Sequence, residues 1–175
     1  PRVTVADCKA NGEEILKAIH EMEKEHVKLM VFPEFCITGY TCHDLFLQRC
    51  LLDSAWDELL HIAEETRETD ALIFVGLPLR HRGKLYNVAA ALNHGRIVGF
   101  VPKTYIPNYN EFYEQRQFAG AEEEDVEFVD FLKCEKNEED EFWDEIPFGT
   151  ELIFECKEFP EFTVAAELCE DLWVP

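Results

Sequence analysis

Three near-continuous apolar runs in this chain each end in a side chain capable of chemistry. Val27-Lys-Leu-Met-Val-Phe-Pro33 runs into Glu34, Ile97-Val-Gly-Phe-Val-Pro102 into Lys103, and Phe162-Thr-Val-Ala-Ala-Glu-Leu168 into Cys169. The run 27–33 predicts a strand buried on both faces, and the run before Cys169 a strand that delivers a thiol to the sheet's edge. In α/β folds reactive groups gather outside the carboxyl ends of strands. A carboxylate, an amine and a thiol delivered there form a candidate cysteine-nucleophile site.

The segments between these runs complete an α/β pattern. Asn11-Gly-Glu-Glu14 predicts a helix start, with Asn11 as N-cap, Glu14 at the capping-box position and Ile15, Leu16, Ile19 and Met22 on the apolar stripe. Thr38-Gly39-Tyr40-Thr41 predicts a turn, and Asp44 the cap of a second helix over 44–67, with Leu45, Leu52, Trp56, Leu59, Leu60 and Ala63 facing inward. A buried strand is expected over 71–78. Residues 84–92 and 96–102 then pair around Asn93-His94-Gly95, a hairpin turn signal. Val126–Leu132, Glu151–Cys156 and Phe162–Leu168 are further strand candidates. Residues 133–149 read as a mobile acidic loop with Phe142, Trp143 and Phe148 as anchors.

Composition narrows the class. At 175 residues with 47% hydrophobic and 30% charged side chains, the chain can bury one domain's core. The formal net charge of -21 repels nucleic acid and anionic membrane surfaces, so neither is an expected partner. Much of that charge is local: residues 121–145 carry 13 acidic and 2 basic side chains. Segment 121–149 is therefore expected to be a solvated acidic insertion. Seven scattered cysteines, without CxxC or paired metal spacing, predict reduced thiols in a cytoplasmic protein rather than a disulfide framework. No metal site is expected; Cys36, Cys42 and His43 match no zinc spacing. No apolar stretch reaches the roughly 18 residues of a bilayer span.

Cysteine attacks as thiolate, so a base must take its proton or its pKa must fall. Glu34, fixed by Pro33 at the end of an apolar strand, is the candidate base. Lys103, as a cation, is the candidate stabiliser of a tetrahedral oxyanion. Together they suit attack on a carbonyl or nitrile carbon followed by hydrolysis of a thioester. Taken singly, each residue also has a structural reading: Glu34 and Lys103 as a plain salt bridge, Cys169 as a small core residue.

The flanking residues carry a more specific signal. Phe32-Pro-Glu-Phe-Cys-Ile-Thr-Gly-Tyr40, Val101-Pro-Lys-Thr-Tyr-Ile-Pro-Asn-Tyr-Asn-Glu-Phe-Tyr-Glu114 and Glu167-Leu-Cys-Glu-Asp-Leu-Trp173 occur in that order. They resemble the carbon–nitrogen hydrolase (nitrilase) superfamily. The nearer likeness is to the branch that forms the glutaminase domain of glutamine-dependent NAD synthetases. The resemblance implies a nitrilase-like α-β-β-α sandwich with Glu34 as general base, Lys103 as oxyanion cation and Cys169 as nucleophile. It further implies Glu111 as a second glutamate beside the lysine, and Tyr40, Tyr109, Phe112 and Glu170 around a glutamine substrate. It implies no cofactor in this domain. ATP and magnesium belong to a separate synthetase domain, which would turn the released ammonia and nicotinic acid adenine dinucleotide into NAD; the parent is expected to be a homo-oligomer.

Measured against that pattern, residues 1–175 read as a partial hydrolase domain. The first strand is expected before Pro1, further strands and helices after Cys169, and the ATP-dependent domain elsewhere. Two other readings stay open: a stand-alone amidase, nitrilase or carbamoylase, and an inactive truncated interaction module docking through its acidic loop or exposed edges.

Overall fold

The computed structural model describes residues 1–122, 127–130 and 145–174. Helix α1 (Cys8–Lys24) starts three residues before the expected cap. Asp7 is the N-cap, its carboxylate accepting from the Ala10 amide at 3.2 Å. Asn11 is instead buried inside the helix. Its side chain accepts from the Thr4 amide (2.7 Å) and donates to the carbonyls of Thr4 (2.8 Å) and Ile37 (2.9 Å), fastening the N-terminal segment to the turn at Ile37. Ile15, Leu16 and Ile19 are buried as the stripe predicts.

The second helix, α2 (Arg49–Glu65), is shorter than expected because Tyr40–Leu47 forms an irregular 3₁₀ segment. Asp44 caps nothing. Its carboxylate takes two 2.7 Å bonds from Arg116 and a 3.0 Å bond from Gln117, and Arg116 holds it down to about pKa 2. Leu45 is 40% exposed, whereas Leu52, Leu59 and Ala63 are buried.

Six strands form a mixed sheet in the order β1-β2-β3-β4-β6-β5. β1 (Leu29–Val31) runs parallel to β2 (Leu72–His81); β2, β3 (Lys84–Asn93) and β4 (Arg96–Pro102) form an antiparallel meander. Both hairpin turns, Arg82-Gly83 and His94-Gly95, have positive φ at both positions, the signature of type I′. The run 27–33 is not buried on both faces. β1 stands at the sheet edge among the described residues, and Val31 is 70% exposed.

β5 (Glu127–Asp130) pairs antiparallel with β6 (Glu145–Phe148), which pairs with β4. A strand therefore occupies part of the expected 133–149 loop. Phe148 anchors it, with its ring 5.2 Å from Tyr86 and 4.7 Å from His81. Phe142, Trp143 and most of the acidic stretch lie outside the described residues.

The register separates the two sheet faces. Val75, Ala90 and Phe100 are cross-strand neighbours on the helical side, where Trp56 of α2 stands 6.0 Å from Phe100. Phe74, Ala91 and Gly99 share the opposite face. There β7 (Phe154–Cys156) and β8 (Phe159–Val164) form a small second sheet, and Phe154 packs edge-on against Phe74 at 5.4 Å. The described layers are thus helices, main sheet and small sheet. By alternation Gly76, Ala89 and Asn87 also point away from the helices, and chemistry collects on that side.

Candidate active site

Glu34 follows β1 in a tight turn in which Cys36 N–H donates to Pro33 (3.1 Å) and Gly39 N–H to Phe35 (2.6 Å). This turn lies directly on β2. A Cβ at Gly76 would sit 2.6 Å from the Phe35 nitrogen, 2.7 Å from the Pro33 oxygen and 2.9 Å from the Glu34 Cα, so the approach requires glycine. Rings of Phe35, Phe46 and Phe118 pack at 4.9–5.0 Å beneath the turn, joining it to the loop after β4.

Lys103 is the first residue beyond β4. Its amide donates to the Asn87 carbonyl at 2.8 Å and its side chain is fully buried. The ammonium donates to Glu34 Oε1 at 2.7 Å and to Glu114 Oε2 and Oε1 at 3.2 and 3.3 Å. Burial pulls the amine toward neutrality, but the hydrogen bond and charge of Glu34 and the charge of Glu114 outweigh it. The lysine is held above its ordinary range as a cation. Glu114 opens a short 3₁₀ turn (Glu114–Arg116), is buried, and also accepts the Tyr40 hydroxyl. The second glutamate beside the lysine is therefore Glu114. Glu111, expected there, is exposed on the loop three residues earlier.

Cys169 opens a 3₁₀ turn (Cys169–Leu172) with φ 49°, a left-handed conformation costing a residue with a Cβ roughly 1–2 kcal/mol. β8 ends at Val164, so residues 165–168 reach the turn as irregular chain and not as the expected strand. The turn is held by Asp171, whose carboxylate accepts from the amides of Tyr105 (2.8 Å), Thr104 (3.1 Å) and Leu168 (3.4 Å). Burial raises the Cys169 thiol; Lys103 lowers it, and Glu34, Glu114 and Glu170 raise it. The net shift is upward, leaving a protonated thiol that needs a base. Glu34 and Cys169 line one cavity of about 360 Å³, with Leu29, Val31, Phe74 and Ala89 among its apolar walls.

The remaining expected residues divide between interior and rim. The Tyr40 hydroxyl reaches the buried Glu114, although the residue as a whole is exposed. Tyr109 donates to Glu170 at 2.9 Å and packs edge-on against Phe112 at 5.7 Å, forming an exposed rim next to Cys169. Among the described residues no group of His, Cys, Asp and Glu has the arrangement of a metal site. Cys36 is buried against Gly76, and the Cys42 thiol lies against the carbonyls of Thr38 and Gly39.

Sequence reading missed Glu114, Asn87, Asp171 and Gly76. Glu114 stood inside the quoted motif, but the loop geometry that turns it inward leaves no periodic signal. Asp171, two residues after the cysteine, carried the signal of a turn-capping carboxylate.

Comparison with known proteins points the same way. A family model described as carbon–nitrogen hydrolase matches residues 2–175. The chain is 36% identical over 173 residues to a glutamine-dependent NAD(+) synthetase of Mycobacterium bovis, covering 98% of this chain and 24% of that protein. It is 40% identical over 124 residues to the enzyme of that name from Aquifex aeolicus, covering 69% of this chain and 21% of the relative. The chain thus spans about a quarter of the length of these relatives. Its fold superposes on the crystal structure of a glutamine-dependent NAD(+) synthetase from Cytophaga hutchinsonii with TM-score 0.83 and 29% identity, over 97% of this chain and 27% of that one. A nitrilase-superfamily amidase from Nesterenkonia shares the fold at TM-score 0.58 and 19% identity, over 74% of this chain and 48% of that one. Among the described residues no helix is long and apolar enough to cross a membrane.

Proposed function

The chain belongs to the carbon–nitrogen hydrolase family, and from that premise we propose that it hydrolyses the side-chain amide of glutamine through a thioester on Cys169. The observation carrying this reading is the buried Lys103 ammonium, held between Glu34 and Glu114, with Glu34 and Cys169 lining the same cavity. Glu34 takes the thiol proton as sulfur bonds to the amide carbon, and the carbonyl electron pair moves onto oxygen, where Lys103 stabilises it. The intermediate collapses with cleavage of the C–N bond. The leaving nitrogen takes the proton from Glu34 and departs as ammonia. Water then attacks the thioester, giving one proton to Glu34; the C–S bond breaks, glutamate leaves and the thiolate recovers that proton. Lys103 keeps its own protons throughout.

Likeness to glutamine-dependent NAD(+) synthetases supports glutamine as the amide donor. We infer further that the ammonia is delivered to a synthetase domain of the same polypeptide, where ATP and magnesium are expected and NAD is formed. Tyr109, Phe112 and Glu170 form the rim a glutamine side chain would pass.

Ammonia release from glutamine and from simple aliphatic amides, measured for this chain and for C169A, E34Q and K103M, tests the reading. Glutamine should be preferred, C169A and E34Q should be inactive, and K103M should fall by about 10²–10³ for loss of an oxyanion donor. C169A releasing ammonia at the wild-type rate would overturn the mechanism. A preference for simple amides would transfer it to a stand-alone amidase.

A further inference from the structure

Asn87 lies in mid-β3, fully buried, on the sheet face that carries the site. Its Nδ2 donates to Glu34 Oε1 at 2.5 Å, the same oxygen that takes the Lys103 ammonium at 2.7 Å. Its main-chain carbonyl accepts the Lys103 amide at 2.8 Å. One residue therefore touches both the candidate base and the backbone of the candidate cation. Its Oδ1 is buried without a hydrogen-bond partner among the described residues. An orphaned buried acceptor is costly and calls for a reason. A buried amide that satisfies a carboxylate with its nitrogen while leaving its oxygen unsatisfied has been placed there for the nitrogen.

We propose that Asn87 is a positioning residue that selects the reacting oxygen of Glu34. With Asn87 and Lys103 both bound to Oε1, that oxygen is occupied and the carboxylate plane is fixed. Oε2 accepts no hydrogen bond among the described residues, and it is the oxygen left to take the Cys169 proton. This inference rests on the cysteine–glutamate reading above, but it concerns a residue that never touches substrate. The charged and titratable groups around Glu34 are Lys103 beyond β4, Glu114 from its 3₁₀ turn, Tyr40 from the start of the irregular 3₁₀ segment, and Cys169 with Glu170 from the last turn.

The test reads Cys169 itself, so that it does not depend on the identity of the substrate. The rate of alkylation of Cys169 by iodoacetamide, followed by peptide mass spectrometry across pH, is compared in wild type, E34Q, N87A and N87D. Alkylation in wild type should persist to lower pH than in E34Q, where no base takes the thiol proton. N87A lets the Glu34 carboxylate turn and offer either oxygen, so its profile should move toward that of E34Q. N87D keeps the side-chain volume but replaces the amide donor with a second carboxylate, and its profile should move toward that of E34Q at least as far. Thermal unfolding of each variant shows whether it is folded, and the near-isosteric N87D guards against collapse of N87A. Profiles of folded N87A and N87D that coincide with wild type would overturn the inference while leaving the base reading intact. A wild-type profile indifferent to E34Q would overturn both.

Discussion

Asp171 and Tyr105 are joined by a 2.8 Å hydrogen bond from the tyrosine's main-chain amide to the aspartate's carboxylate. Thr104, the residue after Lys103, donates to the same carboxylate at 3.1 Å. The turn bearing the thiol is thus fastened to the strand end bearing the ammonium. Relative placement of nucleophile and cation does not depend on their mutual attraction.

D171A removes these bonds without touching the reacting groups. Hydrogen bonds to charged acceptors contribute about 1.5–3 kcal/mol, so Tm should fall by roughly 5 °C. Amide hydrolysis should fall at least about tenfold, since small misplacements of a catalytic group are expensive. An unchanged rate with a lowered Tm would show that the fastening serves the fold alone.

K103M leaves Glu34 and Glu114 facing each other without their cation. Breaking a buried ion cluster by deleting one partner costs about 3–5 kcal/mol, measurable by denaturant unfolding. Neutralising all three, in K103M/E34Q/E114Q, should recover much of that stability while activity stays lost. A triple variant no more stable than K103M would contradict the charge explanation.

Alkaline pH should weaken the fold. Burial pushes Cys8 and Cys36 up to about 12 in the folded chain, whereas unfolded thiols ionise near about 8.5. Between those values the unfolded state has released protons that the native state keeps, so the unfolding free energy falls as pH rises. Lys103, raised in the fold, acts in the same sense at higher pH: its contribution is complete below the ordinary lysine pKa and is lost as pH climbs through the raised one. Denaturant midpoints should drop progressively from pH 8 to 11, and C8A/C36A should flatten the slope.

G76A places a methyl group within 2.6–2.9 Å of the backbone of Pro33, Glu34 and Phe35. Overpacking of this kind costs typically about 1–3 kcal/mol. Because the displaced atoms carry Glu34, activity should fall by more than the stability loss explains. Full activity in a folded G76A protein would show that the base tolerates the shift.

The sequence reading succeeded where local chemistry and long-range packing agreed. β2, the β3–β4 hairpin and the stripe Ile15, Leu16 and Ile19 follow directly from apolar pattern and turn residues. Glu34 and Lys103, 69 residues apart, come together at 2.7 Å as their strand-end positions implied. It failed where a polar residue had two possible employers. Asn11 and Asp44 have the chemistry of helix caps, but Asn11 binds Ile37 and Asp44 binds Arg116, partners that only the folded chain supplies. Glu111 and Glu114 are alike in one dimension. The 3₁₀ turn and the packing of Phe118 under Phe35 decide which of them faces the lysine.

The most direct measurement is a trapping experiment. The chain is mixed with glutamine, quenched rapidly in acid and analysed by peptide mass spectrometry. The mechanism predicts a γ-glutamyl adduct on the peptide containing Cys169, bound as an alkali-labile thioester and absent from C169A and E34Q. Ammonia release that proceeds in wild type with the adduct on another residue, or that persists in C169A, would contradict it.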